Sequence, residues 1–216
     1  MLDILKKYVK PGSSLLDAGC GTGLLTKTID KTYKVTAIDT NDLSLSLTRK
    51  RKPRAVILKA NIEKRLPFPA HSFGAMTLLD VLEHVDDNKA LRQLTRVLKP
   101  GGIATFTVPA YPCLFSYWDI LHQHKRRYTL GHMKNLLLKY GFSVTHASYF
   151  NTMLFPFILL IRLVKTFGQR KQTTDCYEMP ERANTILMKL FRRETRFAVH
   201  HTIPFGLSLL VIAKKM

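Results

Sequence analysis

The sequence predicts an α/β fold, an open and mainly parallel sheet with helices on both faces, and three observations carry that expectation. Between about residues 14 and 108, short apolar runs alternate with segments of helical periodicity, the pattern of strands joined by crossover helices. A glycine-rich turn directly follows the first apolar run. The composition, 46% apolar and 23% charged over 216 residues with no low-complexity tract or repeat, suits a single domain, 1–216, with a proper core.

The elements follow in order. MLDILKKYVKPGSS reads as a short helix leading into a turn, without the continuous apolar core and small-residue cleavage site of a signal peptide. Strands are predicted near 14–17, 34–39, 55–59, 74–80 and 102–108. Helices are predicted over 24–30, 43–50 and 88–98, the last from the apolar spacing of Leu91, Leu94, Val97 and Leu98. Lys99-Pro100-Gly101-Gly102 then stops that helix and turns into the fifth strand. Beyond an aromatic- and proline-rich loop, Thr129 can cap a helix running to Lys139, with Gly141 punctuating its end. Strands are expected near 142–149 and 207–214.

The stretch 151–203 falls outside the alternation and reads as a helical insertion, or cap, before the last strand. Its first part, MLFPFILLIRLV over 153–164, is apolar around Pro156 and runs into Lys165, Arg170 and Lys171. That run is shorter than the roughly twenty apolar residues a bilayer crossing needs. It can lie on an anionic membrane surface, or pack as a cap on the core or on another subunit.

A net charge of +19 favours polyanionic partners, whether nucleic acid, an anionic membrane face or phosphorylated substrates. The excess is spread along the chain, so a basic surface is expected in place of a basic arm. Cys20, Cys113 and Cys176 share no close spacing, which excludes a disulfide framework and a cysteine-based metal site and makes a reducing cytoplasm the default compartment.

LLDAGCGTG puts Gly19, Gly21 and Gly23 on the turn between a buried strand and a helix. A cofactor can lie over such a turn only where side chains do not block the backbone; a purely structural glycine turn is the alternative. Asp39 ends the second strand, where a carboxylate can accept both hydroxyls of a ribose or can cap the next helix. Dinucleotide sites want G-x-G-x-x-G, which this turn does not have.

LLDAGCGTG, Asp39, ANIEKRLPFPAHSF and LKPGG together resemble the class I S-adenosylmethionine-dependent methyltransferases over about residues 13–108, of the small-molecule type and similar to the ubiquinone-pathway O-methyltransferase group. The resemblance implies a doubly wound, Rossmann-like, seven-stranded sheet with its last strand antiparallel, and S-adenosylmethionine as cofactor. It places Asp17 and the backbone of Gly19 and Gly21 at the methionine part, Gly23 on the same cofactor turn, Asp39 at the ribose, Asn61 and Ile62 beside the adenine, and Asp80 on the cofactor side. Asn61 stands where many relatives carry Asp, so an amide oxygen would accept from the adenine amino group.

Methyl transfer from a sulfonium needs an aligned nucleophile and, for a hydroxyl acceptor, a base. LDVLEHV, after the fourth strand, offers Asp80, Glu83 and His84. It is similar to the E-x-x-E-H pattern of the ubiquinone-pathway O-methyltransferases, whose three residues bind magnesium, with Asp80 in the first place. Three readings stand: Glu83 caps the next helix while His84 lines the pocket, His84 is a catalytic base, or the three hold Mg.

WDILHQHKRRYT gathers His122, His124, Lys125, Arg126, Arg127 and Tyr128. Its guanidinium groups suit an anionic acceptor. The H-x-R-R-Y run resembles loops that cover the acceptor pocket in bacterial small-molecule methyltransferases; a solvated basic loop is the alternative. The expected function is therefore methylation, on oxygen or carbon, of a small or lipid-like anionic acceptor by a cytoplasmic enzyme, peripheral at the inner face of a membrane. An RNA methyltransferase is favoured by the charge but lacks an N-P-P-Y type of sequence after the fourth strand, and a non-catalytic cofactor-binding partner of another enzyme is the third class.

Overall fold

A computed structural model describes residues 1–153, 155, 156, 159 and 181–216. Seven strands form one sheet: β1 (Ser14–Ala18), β2 (Lys34–Asp39), β3 (Val56–Lys59), β4 (Phe73–Leu79), β5 (Leu98–Pro109), β6 (Phe142–Phe150) and β7 (Ser208–Lys215). Their order is β3-β2-β1-β4-β5-β7-β6. The first five are parallel, and β7 enters antiparallel to both β5 and β6. This is the Rossmann-like sheet with an antiparallel last strand that the sequence predicts. Between β1 and β4 the winding direction reverses, which opens a crevice at the carboxyl ends of those strands.

The helices are α1 (Leu2–Tyr8), α2 (Leu24–Ile29), α3 (Asp42–Lys50), α4 (Asp87–Val97), α5 (Tyr117–Leu121), α6 (Leu130–Lys139) and α7 (Glu181–His200). In α4, Ala90, Leu91, Leu94 and Val97 are wholly buried, the stripe that a 3.6-residue period demands. They pack with Met76, Phe106 and Phe142 from three strands in the main core. The helix ends one residue before Leu98, and β5 starts at Leu98, ahead of the Lys99-Pro100-Gly101-Gly102 turn that was expected to precede it. The reason is pairing: Leu98 lies opposite Phe73, Ile103 lies opposite Ala75, and the residues between bulge out of the ladder.

The carboxyl end of α7 docks firmly. Ala198 and Val199 are buried, Val199 against Ile4, Leu210 and Ile212. Glu194 accepts from the backbone N–H and the hydroxyl of Thr152 at 2.6 and 2.7 Å. The apolar run expected to touch a membrane lies outside the described residues except for Met153, Phe155, Pro156 and Leu159, and so do Lys165, Arg170, Lys171 and Cys176. Among the described residues, no helix is long and apolar enough to cross a membrane.

Candidate active site

The crevice begins at the turn between β1 and α2. Gly19, Gly21 and Gly23 all have positive φ, +76°, +53° and +75°, a region that side chains with a Cβ rarely adopt. Their needs differ. A Cβ on Gly19 would stand 2.4 Å from Val81 Cγ2, and one on Gly23 would stand 2.5 Å from Thr48 Cγ2, so these two permit close packing against the β4 loop and α3. A Cβ on Gly21 would meet nothing within 4 Å. There the glycine serves the conformation and leaves an open approach to the backbone.

Beneath the turn, Asp17 is buried and accepts from the hydroxyls of Thr26 and Thr77 at 2.6 and 2.8 Å. Its carboxylate ties β1 to α2 and β4. Burial raises its pKa above the ordinary range, against the pull of those two hydroxyls. Asp39 Oδ2 accepts from the Gly21 N–H at 2.9 Å and Oδ1 from the Asn41 N–H at 2.9 Å, so the acid at the end of β2 braces the glycine turn from across the crevice. It does not cap α3: that is Asn41, whose side chain accepts from the Ser44 N–H.

The crevice, ≈ 260 Å³, is lined by Gly19, Asp39, Asn61, Ile62, Asp80 and His84, among others. Asn61 Oδ1 already accepts from the Glu63 N–H at 2.7 Å, which orients the amide. Asp80 has φ +53°, its N–H donates to the Thr107 carbonyl, and Oδ1 accepts from the Thr107 hydroxyl at 3.0 Å. A glycine turn open to the backbone, an acid at the end of the second strand and an amide with an apolar neighbour on the facing wall form a donor and acceptor set that fits an adenosyl cofactor.

On the far wall, Glu83 and His84 sit on a single 3₁₀ turn, Leu82–His84. Glu83 does not cap α4, a reading that Asp86 displaces by accepting from the Lys89 N–H. Instead Glu83 is wholly buried, and among the described residues neither carboxylate oxygen has a hydrogen-bond partner. Burial, with the nearby Asp80 charge adding to it, pushes its pKa up to about 8. Burial and the neighbouring His124 hold the His84 imidazole below its usual pKa.

The His122–Tyr128 run divides in two. Arg126 Nη1 pairs with the buried Asp87 at 2.6 Å, and Arg127 Nε pairs with the buried Asp119 at 2.8 Å while Nη1 donates to the Ala110 carbonyl. The Tyr128 hydroxyl lies 3.2 Å from both the Leu82 carbonyl and Asp87, and its ring is buried. These three residues therefore hold the loop to the core, and each guanidinium expected to meet an anionic acceptor already meets a buried carboxylate. His122 is exposed, its Nδ1 beside the Trp118 carbonyl. His124 turns inward, its ring edge-to-face with His84 at 4.8 Å between centroids and its Nδ1 2.9 Å from Asp119 Oδ1.

Sequence reasoning passed over Asp119 and the aromatic residues at the end of β5. The signal for Asp119 was present, since Ser116 and Asp119 form a capping box around α5. Tyr111 stacks on Tyr149 at 5.2 Å with ring planes 9° apart, and Phe155 bridges Tyr111 to Phe205 at 5.6 and 5.7 Å. This shelf lies past the carboxyl end of β5, on the edge of the sheet where the crevice opens. It carries no sequence spacing that would reveal it.

A family model described as a methyltransferase domain matches residues 16–106. Over 109 residues the chain is 37% identical to an uncharacterized protein of Methanocaldococcus jannaschii, covering 49% of this chain and 41% of that one. Over 125 residues it is 35% identical to the ubiquinone/menaquinone biosynthesis C-methyltransferase UbiE of Psychromonas ingrahamii, covering 51% and 49%. The chain thus spans about half the length of the curated relatives it matches or less. A solved structure of a SAM-dependent methyltransferase from Methanosarcina mazei superposes with a TM-score of 0.65 at 16% identity, over 99% of this chain and 97% of that one.

Proposed function

We propose that this chain, whose residues 16–106 match a methyltransferase domain and whose sheet has the class I topology, moves the methyl group of S-adenosylmethionine to a small acceptor with an apolar, ring-bearing body. The observation that carries the reading is the crevice at the β1/β4 reversal, where Gly19, Asp39, Asn61 and Ile62 converge. The cofactor, when bound, supplies an activated methyl on a positively charged leaving group. The chain's own residues would then hold the ribose at Asp39, leave the methionine part against the Gly19 and Gly21 backbone, and flank the adenine with Asn61 and Ile62.

Two features support the acceptor class. The Tyr111, Tyr149, Phe155 and Phe205 shelf offers ring faces to a flat or greasy molecule on the open edge of the sheet. The curated relatives include proteins described as quinone-pathway C-methyltransferases, which favours attack by carbon over oxygen. Burial lowers the His84 pKa, which leaves its lone pair available either to the acceptor's proton or to a cation. Exposed Met153 beside the shelf and exposed Phe205 within it, on a chain of net charge +19, suit collection of such an acceptor from an anionic membrane face.

Incubation of cell lipid, metabolite and RNA fractions with the protein and isotope-labelled S-adenosylmethionine tests this directly. Label should enter an apolar, ring-containing product and be absent with Asp39→Ala; label confined to RNA would overturn the acceptor assignment. RNA is the second reading, supported by the net charge alone, and predicts binding that weakens steeply with salt.

A further inference from the structure

The E-x-x-E-H likeness implies a magnesium site at Asp80, Glu83 and His84, and the structure brings together a different trio. One ligand atom each from Glu83, His84 and His124 lies within 4.8 Å of the others, while Asp80 stays outside that group with its carboxylate on the Thr107 hydroxyl. Magnesium prefers oxygen ligands in near-octahedral order; two imidazoles and one carboxylate suit a borderline transition ion such as zinc or cobalt.

Two independent observations point to a ligand there. Glu83 is wholly buried, and among the described residues both its oxygens are unpartnered, an arrangement that costs several kcal/mol unless a proton or a cation meets it. His124 is also set as metal-binding histidines are. Its Nδ1 faces Asp119 Oδ1 at 2.9 Å, and the same oxygen accepts from Arg127 Nε at 2.8 Å. A carboxylate that accepts from Nδ1–H fixes the tautomer and leaves the Nε2 lone pair for a cation.

We infer that Glu83, His84 and His124 form a binding site for one divalent transition ion, with Asp119 and Arg127 positioning His124. The ion would sit behind the crevice wall that His84 and Asp80 share. The site joins the turn after β4 to the loop after α5, two segments forty residues apart, so an ion would tie that loop to that turn. Binding can be measured without cofactor or acceptor, so the inference stands or falls apart from the methyl-transfer reading.

Tag-free, chelator-stripped protein titrated with Zn²⁺, Co²⁺ and Mg²⁺ by calorimetry tests it, with the visible spectrum of the Co²⁺ form as a second readout. We expect one Zn²⁺ or Co²⁺ per chain, cobalt bands in the visible region, a rise in thermal midpoint with zinc, and no competition from excess Mg²⁺. Glu83→Gln and His124→Gln should each weaken zinc binding at least about a hundredfold, and Asp119→Asn about ten- to a hundredfold. Asp80→Asn, which removes a nearby charge but no ligand, should weaken zinc binding less than about tenfold. Thermal unfolding of every variant without metal checks that it is folded. Failure of the folded wild-type protein to bind either ion stoichiometrically would overturn the inference. So would magnesium binding that Asp80→Asn abolishes, because that result restores the trio implied by sequence.

Discussion

The two halves of the sheet build their sites by opposite means. From β1 to β4 the crevice is made of backbone and of side chains that brace backbone: Gly19 packed on Val81, Asp39 bonded to the Gly21 N–H, Asp17 tying three elements together below. Past β5, charged side chains fold inward onto partners, as Arg126 does to Asp87 and Arg127 to Asp119, and beside them lies a half-buried shelf of rings with Phe205 exposed. A cofactor of fixed shape suits a preformed backbone cradle. An acceptor site has only to offer surface and contour, and its charges are free to serve the fold.

The sharpest way to break this contrast is Arg127→Gln. Asp119 is fully buried, so removing its cation should destabilise the protein by about 3–5 kcal/mol, read as a drop in the denaturant midpoint. A variant with unchanged stability and a raised KM for an anionic acceptor would return Arg127 to the substrate. Next in size is Asp39→Ala. With Asp39 holding the ribose as proposed, the loss of charge-assisted hydrogen bonds to two hydroxyls, at about 1.5 kcal/mol or more each, should weaken S-adenosylhomocysteine binding about a hundredfold in calorimetry. Arg126→Gln should cost about 1–3 kcal/mol of stability, less than Arg127 because its guanidinium is one-third exposed while Asp87 is not. Smallest is Tyr111→Leu, which should raise the acceptor KM by about three- to tenfold through lost ring stacking, with cofactor affinity unchanged. Equal losses in both affinities would join the shelf to the cofactor crevice and dissolve the distinction.

The same contrast explains what could be seen in the sequence. Gly19, Gly21, Gly23 and Asp39 lie within a short span, and their spacing is set by one strand, one turn and the next strand, so local pattern was enough. The buried stripe of α4 was legible for the same reason. Leu98 continues the stripe and so reads as helix in the sequence; its pairing with Phe73 across the sheet makes it strand. His84 and His124 meet only because the loop after α5 folds back onto the turn after β4, and Arg126 and Arg127 find their carboxylates in other elements. A basic run looks the same in sequence whether it reaches for a ligand or for the core.

The place of β7 has a consequence for how the chain is made. Among the described residues β6 pairs with β7 alone, and β7 lies between it and β5. At about 5–20 residues per second, the roughly sixty residues from the end of β6 to the start of β7 take roughly 3–12 s to synthesise. For that interval β6 has no neighbour, and β5 shows an open ladder edge, a template for pairing between nascent chains. The window in which this protein is most prone to aggregate is thus set by translation speed through 151–207, and slowing the ribosome there should lower the soluble yield.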